Sequence, residues 1–133
     1  MKIAIVGYGK MGHIVEAVAR KRGHEIVCII DQDTPNEVWD SAEMRSADVA
    51  IEFTTPLTAE ENVRKALQRG LKGVSGTTGW TIPQDLQQAM QEGRLVWKSN
   101  FSIGVNVFFE LNKDLAARLQ PYGNYRPSIT EVH

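Results

Sequence analysis

The 133 residues are a one-domain length, and 42% hydrophobic with 23% charged residues is the make-up of an ordinary globular chain. A formal net charge of −1 excludes the electrostatic footprint of a nucleic-acid or anionic-membrane binder, and no apolar run is long enough to span a bilayer. No basic-then-apolar signal segment precedes the first strand, and the single Cys28 lies in an apolar run where it makes no internal disulfide. Both features match a reducing cytoplasm. His13, His24 and His133 form no short motif with Cys or acidic partners, so no metal site is expected.

In chain order, Lys2 to Val6 reads as a short buried strand and Met11 to Arg22 as a helix. Between them lies Gly7-Tyr8-Gly9-Lys10-Met11-Gly12, a Gly-x-Gly-x-x-Gly turn. Ile26 to Ile30 is a second strand, ending at Asp31, and Gln32 to Asn36 is a loop. Residues 37–46 are ambiguous between a short strand and a turn. Val49 to Phe53 is the next buried strand, broken at Thr55-Pro56. Thr58 to Arg69 reads as a helix with acidic residues early and basic ones late, stopped by Gly70. Lys72 to Ser75 is a strand, followed by the loop Gly76-Thr77-Thr78-Gly79-Trp80. A helix opens near Pro83 and ends by Gly93, Arg94 to Lys98 is a strand, and Ser99 to Gly104 a loop. Val105 to Leu119 is a long amphipathic helix, Tyr122 to Pro127 a hinge, and Ser128 to His133 a new strand. Alternating strands and helices predict an α/β fold, a Rossmann-type doubly wound parallel sheet.

The context of the glycine turn points to a dinucleotide. Its first glycine permits the turn, its second admits a pyrophosphate, and its third lets helix and strand pack closely. The unpaired N–H groups at the helix start favour phosphate charge. Asp31, nineteen residues after Gly12, stands where an acidic residue binds the adenosine ribose. Ligands in open α/β sheets lie beyond the carboxyl ends of the strands. Thr54-Thr55, Gly76 to Gly79 and Lys98-Ser99-Asn100-Phe101 are further such ends. On residue chemistry alone, Gly76 to Gly79 reads either as a flexible turn or as the border of a nicotinamide. Phe101 reads as a core aromatic or a nicotinamide wall, and Asn100 as a turn residue or an orienting amide.

Taken together, these segments resemble the N-terminal part of the dihydrodipicolinate reductase family. The resemblance rests on Gly7 to Gly12, Asp31, Glu52-Phe53-Thr54, Gly76-Thr77-Thr78-Gly79 and Asn100-Phe101-Ser102-Ile103-Gly104-Val105-Asn106-Val107, in the family's order. It implies reduction of dihydrodipicolinate, formed from 4-hydroxy-tetrahydrodipicolinate, to tetrahydrodipicolinate with NADH or NADPH, in lysine and diaminopimelate biosynthesis. Gly7, Tyr8, Gly9, Lys10, Met11 and Gly12 would hold the pyrophosphate and Asp31 the ribose. Gly76, Thr77 and Thr78 would line one side of the nicotinamide, with Lys98, Ser99, Asn100 and Phe101 opposite. Lys98 replaces a small residue often found there. Gln32 stands beside Asp31 where members favouring the phosphorylated cofactor can carry Arg, so NADH is favoured over NADPH.

The family signature Glu-x-His-His begins at Glu131-Val132-His133, which makes His133 the acid–base residue. The resemblance then implies a dinucleotide-binding domain over 1–127 and the first strand of a substrate and tetramerisation domain at 128–133. The family forms homotetramers and acts on a small dicarboxylate. The elements that would bind it do not follow within these residues, so the 133 residues alone would be catalytically incomplete. Two other readings compete: a stand-alone NAD(H)-binding sensor or regulatory domain, and an oxidoreductase acting on amino-acid semialdehydes.

Overall fold

Five short runs form one parallel sheet: β1 (Lys2–Val6), β2 (Glu25–Ile30), β3 (Val49–Glu52), β4 (Lys72–Ser75) and β5 (Leu95–Trp97), in the order β2-β1-β3-β4-β5. The computed structural model describes residues 1–130 and Val132; Glu131 and His133 lie outside the described residues. The chain divides into two units, Met1–Ser99 and Asn100–His133. The sheet and four of the helices belong to the first: α1 (Lys10–Lys21), α2 (Ala42–Arg45), α3 (Ala59–Gln68) and α4 (Gln84–Gln91). The strand order is the 2-1-3-4-5 arrangement of doubly wound sheets, so the sheet is the expected doubly wound α/β type.

Side-chain alternation along β1 and β3 divides the core. Ile3, Ile5 and Val49 face α1 and pack with Ala19. Ala4, Val6 and Ala50 face the other way, into a cluster with Cys28, Ile30, Trp39, Met44 and Leu71. A third cluster, Val63, Leu86, Ala89 and Leu95, joins α3, α4 and β5. Burial pushes the Cys28 thiol above its ordinary value, in keeping with an inert core residue. Helix α3 shows how local sequence sets an element. Glu60–Arg64 and Glu61–Lys65 pair one turn apart, at 2.9 and 2.7 Å. Gly70, at φ +79°, ends the helix, with Gly70 N–H donating to Leu67 O and Leu71 N–H to Ala66 O.

Residues 37–46, ambiguous in sequence, form no strand. They make a 3₁₀ turn (Asn36–Asp40) and the short helix α2, capped by Ser41 Oγ accepting the Met44 N–H at 3.1 Å. Tertiary contact decides the matter. Trp39 is buried, Lys65 Nζ and the Arg69 guanidinium lie 5.5 and 5.7 Å from its ring centre, and Lys65 also donates to Asn36 Oδ1 at 2.9 Å. Arg69 grips both Asp40 oxygens, at 3.0 and 3.1 Å.

In the second unit, α5 (Ile103–Leu119) starts two residues earlier than the sequence predicts and none of its residues is buried. Ser102 Oγ accepts the Val105 N–H, Asn100 Oδ1 accepts the Ser102 N–H at 2.8 Å, and Asn106 Nδ2 donates to the Asn100 and Ser102 carbonyls. Asn100 thus serves as a turn and capping residue of its own unit. Ser128 to Thr130, expected to begin a strand, are not paired in a sheet, and the remainder of that expected strand includes the undescribed Glu131 and His133.

The Arg69 guanidinium, chiefly through its hydrogen bonds, holds the Asp40 carboxyl below its ordinary value. A lowered folded-state value stabilises above the unfolded pKa of about 4 and is lost as pH falls through the folded value. We therefore expect Asp40→Asn to be less stable than the unmodified chain at neutral pH. That difference should begin to shrink near the unfolded value and close as pH falls through the lower folded value. Denaturant titrations at a series of pH values check this, and a gap that persists in strong acid would contradict it.

Candidate functional site

The strand order reverses between β1 and β3, and there the carboxyl ends of the strands open into a crevice. After β1 the chain turns sharply at Gly7, φ +93°, whose N–H donates to Ile30 O at 2.7 Å at the end of β2. A Cβ at Gly7 would collide with the Phe53 carbonyl, and one at Gly12 with the Gly7 carbonyl. Both glycines are therefore packing requirements, which agrees with the roles read for the first and third glycines. Gly9 differs. A Cβ there meets nothing within 4 Å, and its backbone is extended at φ −78°. The protein has no steric need of glycine at position 9; the space beside it is open for a ligand.

Helix α1 begins at Lys10 with Gly9 as its N-cap. No side chain caps it, and its first turn holds no acidic residue. Its leading N–H groups, with Lys10 and His13 close by in sequence, thus form a site suited to an anion. Tyr8 is braced behind this turn. Its hydroxyl donates to Glu16 Oε2 and its ring stacks on His13 at a centroid distance of 4.0 Å. Glu16 raises the Tyr8 pKa, while Tyr8 and then Arg20 lower that of Glu16. His13 Nδ1 lies 2.8 Å from Gly9 O, where its N–H donates to that carbonyl. Asp31 faces the same turn, with Oδ1 accepting the Tyr8 N–H at 3.3 Å.

Two cavities meet over Gly9, Phe53 and Thr54, which line both. One, of about 420 Å³, is bordered by Gly7, Asp31, Gln32, Trp39, Asn62 and Lys65 among others. The second, of about 410 Å³, is bordered by Lys10, Met11, Pro56, Gly76, Thr77 and Thr78. The first has the hydrogen-bonding groups for a nucleoside, the helix start between has the charge for phosphates, and the second has room for a third group. This donor set fits a dinucleotide. The structure thus brings Gly7, Gly9, Lys10, Met11, Asp31, Gly76, Thr77 and Thr78 to the walls of these cavities, while Tyr8 and Gly12 line neither and stand behind the turn. Lys98 and Ser99 line neither cavity, although the Lys98 N–H reaches Ser75 O at 3.3 Å beside the β4 end. Asn100 and Phe101 belong to the second unit, where Phe101 is 44% exposed. His133 lies outside the described residues.

Sequence reasoning missed what holds the crevice in shape. Glu52, at the end of β3, is only 3% exposed and pairs with no cation among the described residues. Its Oε1 accepts from Thr54 N–H, Thr54 Oγ1 and Thr77 Oγ1 at 2.7, 2.5 and 2.6 Å, and its Oε2 from Ser75 Oγ at 2.5 Å. Thr54 Oγ1 in turn accepts from Thr58 Oγ1 and Asn62 Nδ2. The one signal in the sequence is the charged Glu52 inside the apolar run 49–53.

The family model described as dihydrodipicolinate reductase, N-terminus, matches residues 1–101. The chain belongs to the dihydrodipicolinate reductase family. A 4-hydroxy-tetrahydrodipicolinate reductase of Christiangramia forsetii is 39% identical over the whole of this chain, which covers 56% of that protein. One from Methanocaldococcus jannaschii is 29% identical over the whole chain and 58% of its own length. The chain therefore spans a little over half the length of these curated relatives. Among solved structures, a dipicolinate-bound dihydrodipicolinate reductase from Paenisporosarcina sp. TG-14 superposes with a TM-score of 0.65, at 26% identity, over 88% of this chain and 54% of that one. Among the described residues no helix is long and apolar enough to cross a membrane, and no His, Cys, Asp or Glu group is arranged for a metal.

The contrast between the glycines gives a prediction for this reductase-family domain. Gly9→Val should lower stability by no more than the modest cost of losing a favourable N-cap residue, since its Cβ enters open space, yet abolish dinucleotide binding by filling the approach to the helix start. Gly12→Ala should instead destabilise by about 1–3 kcal/mol through overpacking. Denaturant unfolding with NADH calorimetry on both variants separates the effects; a strongly destabilised Gly9→Val would contradict it.

Proposed function

We propose that this chain is the cofactor-binding part of an NAD(P)H-dependent reductase. Its substrate would be dihydrodipicolinate, formed from 4-hydroxy-tetrahydrodipicolinate, and its product tetrahydrodipicolinate, in lysine and diaminopimelate biosynthesis. The observation that carries the reading is the open, uncapped start of α1 at the switch point, between a ribose-side carboxylate and a second cavity. Its family membership and the names of its relatives support the substrate class. The dipicolinate in the related solved structure is a dicarboxylate of the same kind.

When bound, the dinucleotide supplies a hydride to the substrate. The chain's own residues do the rest of the positioning in this reading. The α1 N–H groups and Lys10 offset pyrophosphate charge, and Asp31 accepts from the ribose hydroxyls. Gly76, Thr77 and Thr78 border the nicotinamide, with Lys98 and Ser99 proposed on its other side. His133, the proposed acid–base residue, would handle the proton, and the domain boundary is placed after residue 127. Activity in the cytoplasm as a homotetramer is part of the same proposal. The 133-residue chain should bind cofactor without appreciable turnover, because the proposed dicarboxylate-binding groups are not among its residues.

Titrating NADH into the folded chain by calorimetry, or by quenching of tryptophan fluorescence, tests the reading. Saturable binding is expected, and its absence in a demonstrably folded sample would overturn it. Asp31 also predicts cofactor preference. A carboxylate about 4 Å from a 2′-phosphate is opposed by a few kcal/mol at an effective dielectric near 20, reduced by screening because Asp31 is exposed. NADH should bind roughly tenfold tighter than NADPH, about 1.4 kcal/mol. Asp31→Ser should narrow the gap; equal dissociation constants in the unmodified protein would refute the assignment.

A further inference from the structure

The loop Gly76 to Gly79 contains an orientation device that the crevice geometry alone does not explain. The Thr77 carbonyl accepts two indole N–H groups, Trp80 Nε1 at 2.9 Å from within the loop and Trp97 Nε1 at 2.9 Å from the end of β5. The same residue donates its hydroxyl to Glu52 Oε1 at 2.6 Å, and Thr77 is only 6% exposed. Thr77 is thus fixed at both its side chain and its carbonyl, by groups from two strand ends and from its own loop.

Fixing that carbonyl fixes the next donor. The 77–78 peptide is planar and trans, as no cis bond occurs among the described residues. Its N–H therefore points opposite to its carbonyl. With the carbonyl turned to the indoles, the Thr78 N–H is turned away from them, on an exposed residue that lines the second cavity. No acceptor for that N–H occurs among the described residues. An oriented donor left without a protein partner at a cavity wall is suited to a ligand carbonyl.

We infer that Trp80 and Trp97 are positioning residues for the nicotinamide end of the crevice. Their indole N–H groups hold the Thr77 carbonyl inward and so present the Thr78 N–H to the carboxamide of the ligand. This rests on the reading of the crevice as a dinucleotide site. Neither tryptophan lines the cavity itself, so the effect is transmitted through one peptide plane.

The test uses Trp80→Phe, Trp97→Phe and the double variant, which keep an aromatic ring but remove the N–H. Calorimetry with NADH is paired with calorimetry with ADP-ribose, which carries the adenosine, pyrophosphate and second ribose but no nicotinamide. Each single variant is expected to weaken NADH by about three- to tenfold, the scale of one net hydrogen bond, and to leave ADP-ribose within about twofold. Circular dichroism melting verifies the fold; if the double variant does not fold, the single ones decide. Equal weakening of both ligands would show a merely structural role and overturn the inference, as would unchanged NADH affinity in all variants. If the unmodified protein binds neither ligand, the dinucleotide reading has failed and this inference falls with it, an outcome told apart by the unmodified isotherms alone.

Discussion

Buried carboxyl groups without a cationic partner are expensive unless both oxygens are hydrogen-bonded. Glu52 meets that condition with three hydroxyls and one backbone N–H, drawn from the ends of β3 and β4. The consequence extends well past one residue. Because Thr54 Oγ1 spends its proton on Glu52, it is left as an acceptor for Thr58 and Asn62 at the start of α3. Because Thr77 Oγ1 does the same, it is left to accept the Thr54 N–H at 2.8 Å. Two strand ends and one helix start are thereby set relative to one another by a single group. No buried side-chain polar atom among the described residues is left without a partner. A fully satisfied network of this kind rigidifies, whereas a partly satisfied one would destabilise.

Phe53 complements the network by steric means. Its carbonyl closes the space behind Gly7, and its ring closes the space behind Gly76, where any Cβ would collide with ring carbons. The glycines that follow β1 and β4 are thus required by the residue between them, the first after β3. The resulting surface has bare backbone on both flanks and an aromatic floor that borders both cavities. A flat ligand with a charged middle and polar ends is the shape such a surface admits.

How much of this was legible in the sequence depended on the distance over which each feature is determined. The five strands of the sheet, α1, α3 and the glycine turn follow from runs and spacings within about a dozen residues, and they stand within a residue or so of where the sequence put them, whereas the strand expected from Ser128 is not seen in Ser128 to Thr130. Residues 37–46 could not be read because a five-residue 3₁₀ turn and a four-residue helix carry too little periodicity. Their conformation is imposed by Lys65 and Arg69, which lie about thirty residues on and grip Asn36, Trp39 and Asp40. Likewise the glycine and aspartate of the candidate site were visible, being local and chemically unusual. The Glu52 hydroxyl partners and the indole pair on Thr77 were not, since Ser75, Thr77 and Trp97 are common residue types whose meaning comes only from folding. Trp39 and Lys65 at the cavity beside Asp31 were missed for the same reason.

Asp31 shows how one residue serves fold and site together. Its backbone N–H donates to Thr34 Oγ1 at 2.9 Å, which turns the chain sharply after β2. Its Oδ1 accepts the Tyr8 N–H and so ties that turn to the glycine loop. A carboxylate has acceptor sites on both oxygens, and the interaction with Tyr8 is long, at 3.3 Å, and occupies one oxygen. Oδ2 and the outer lone pair of Oδ1 remain available at the cavity wall. Under the proposed reading, ribose hydroxyls use that remaining capacity. The ligand then adds to an interaction that already aligns the loop, and the helix start need not reorganise to meet the pyrophosphate. Preorganisation of this kind contributes to affinity by lowering the ordering cost of binding. It also explains why the acidic residue stands at the tip of the neighbouring strand: from there one side chain reaches both the loop backbone and the ligand.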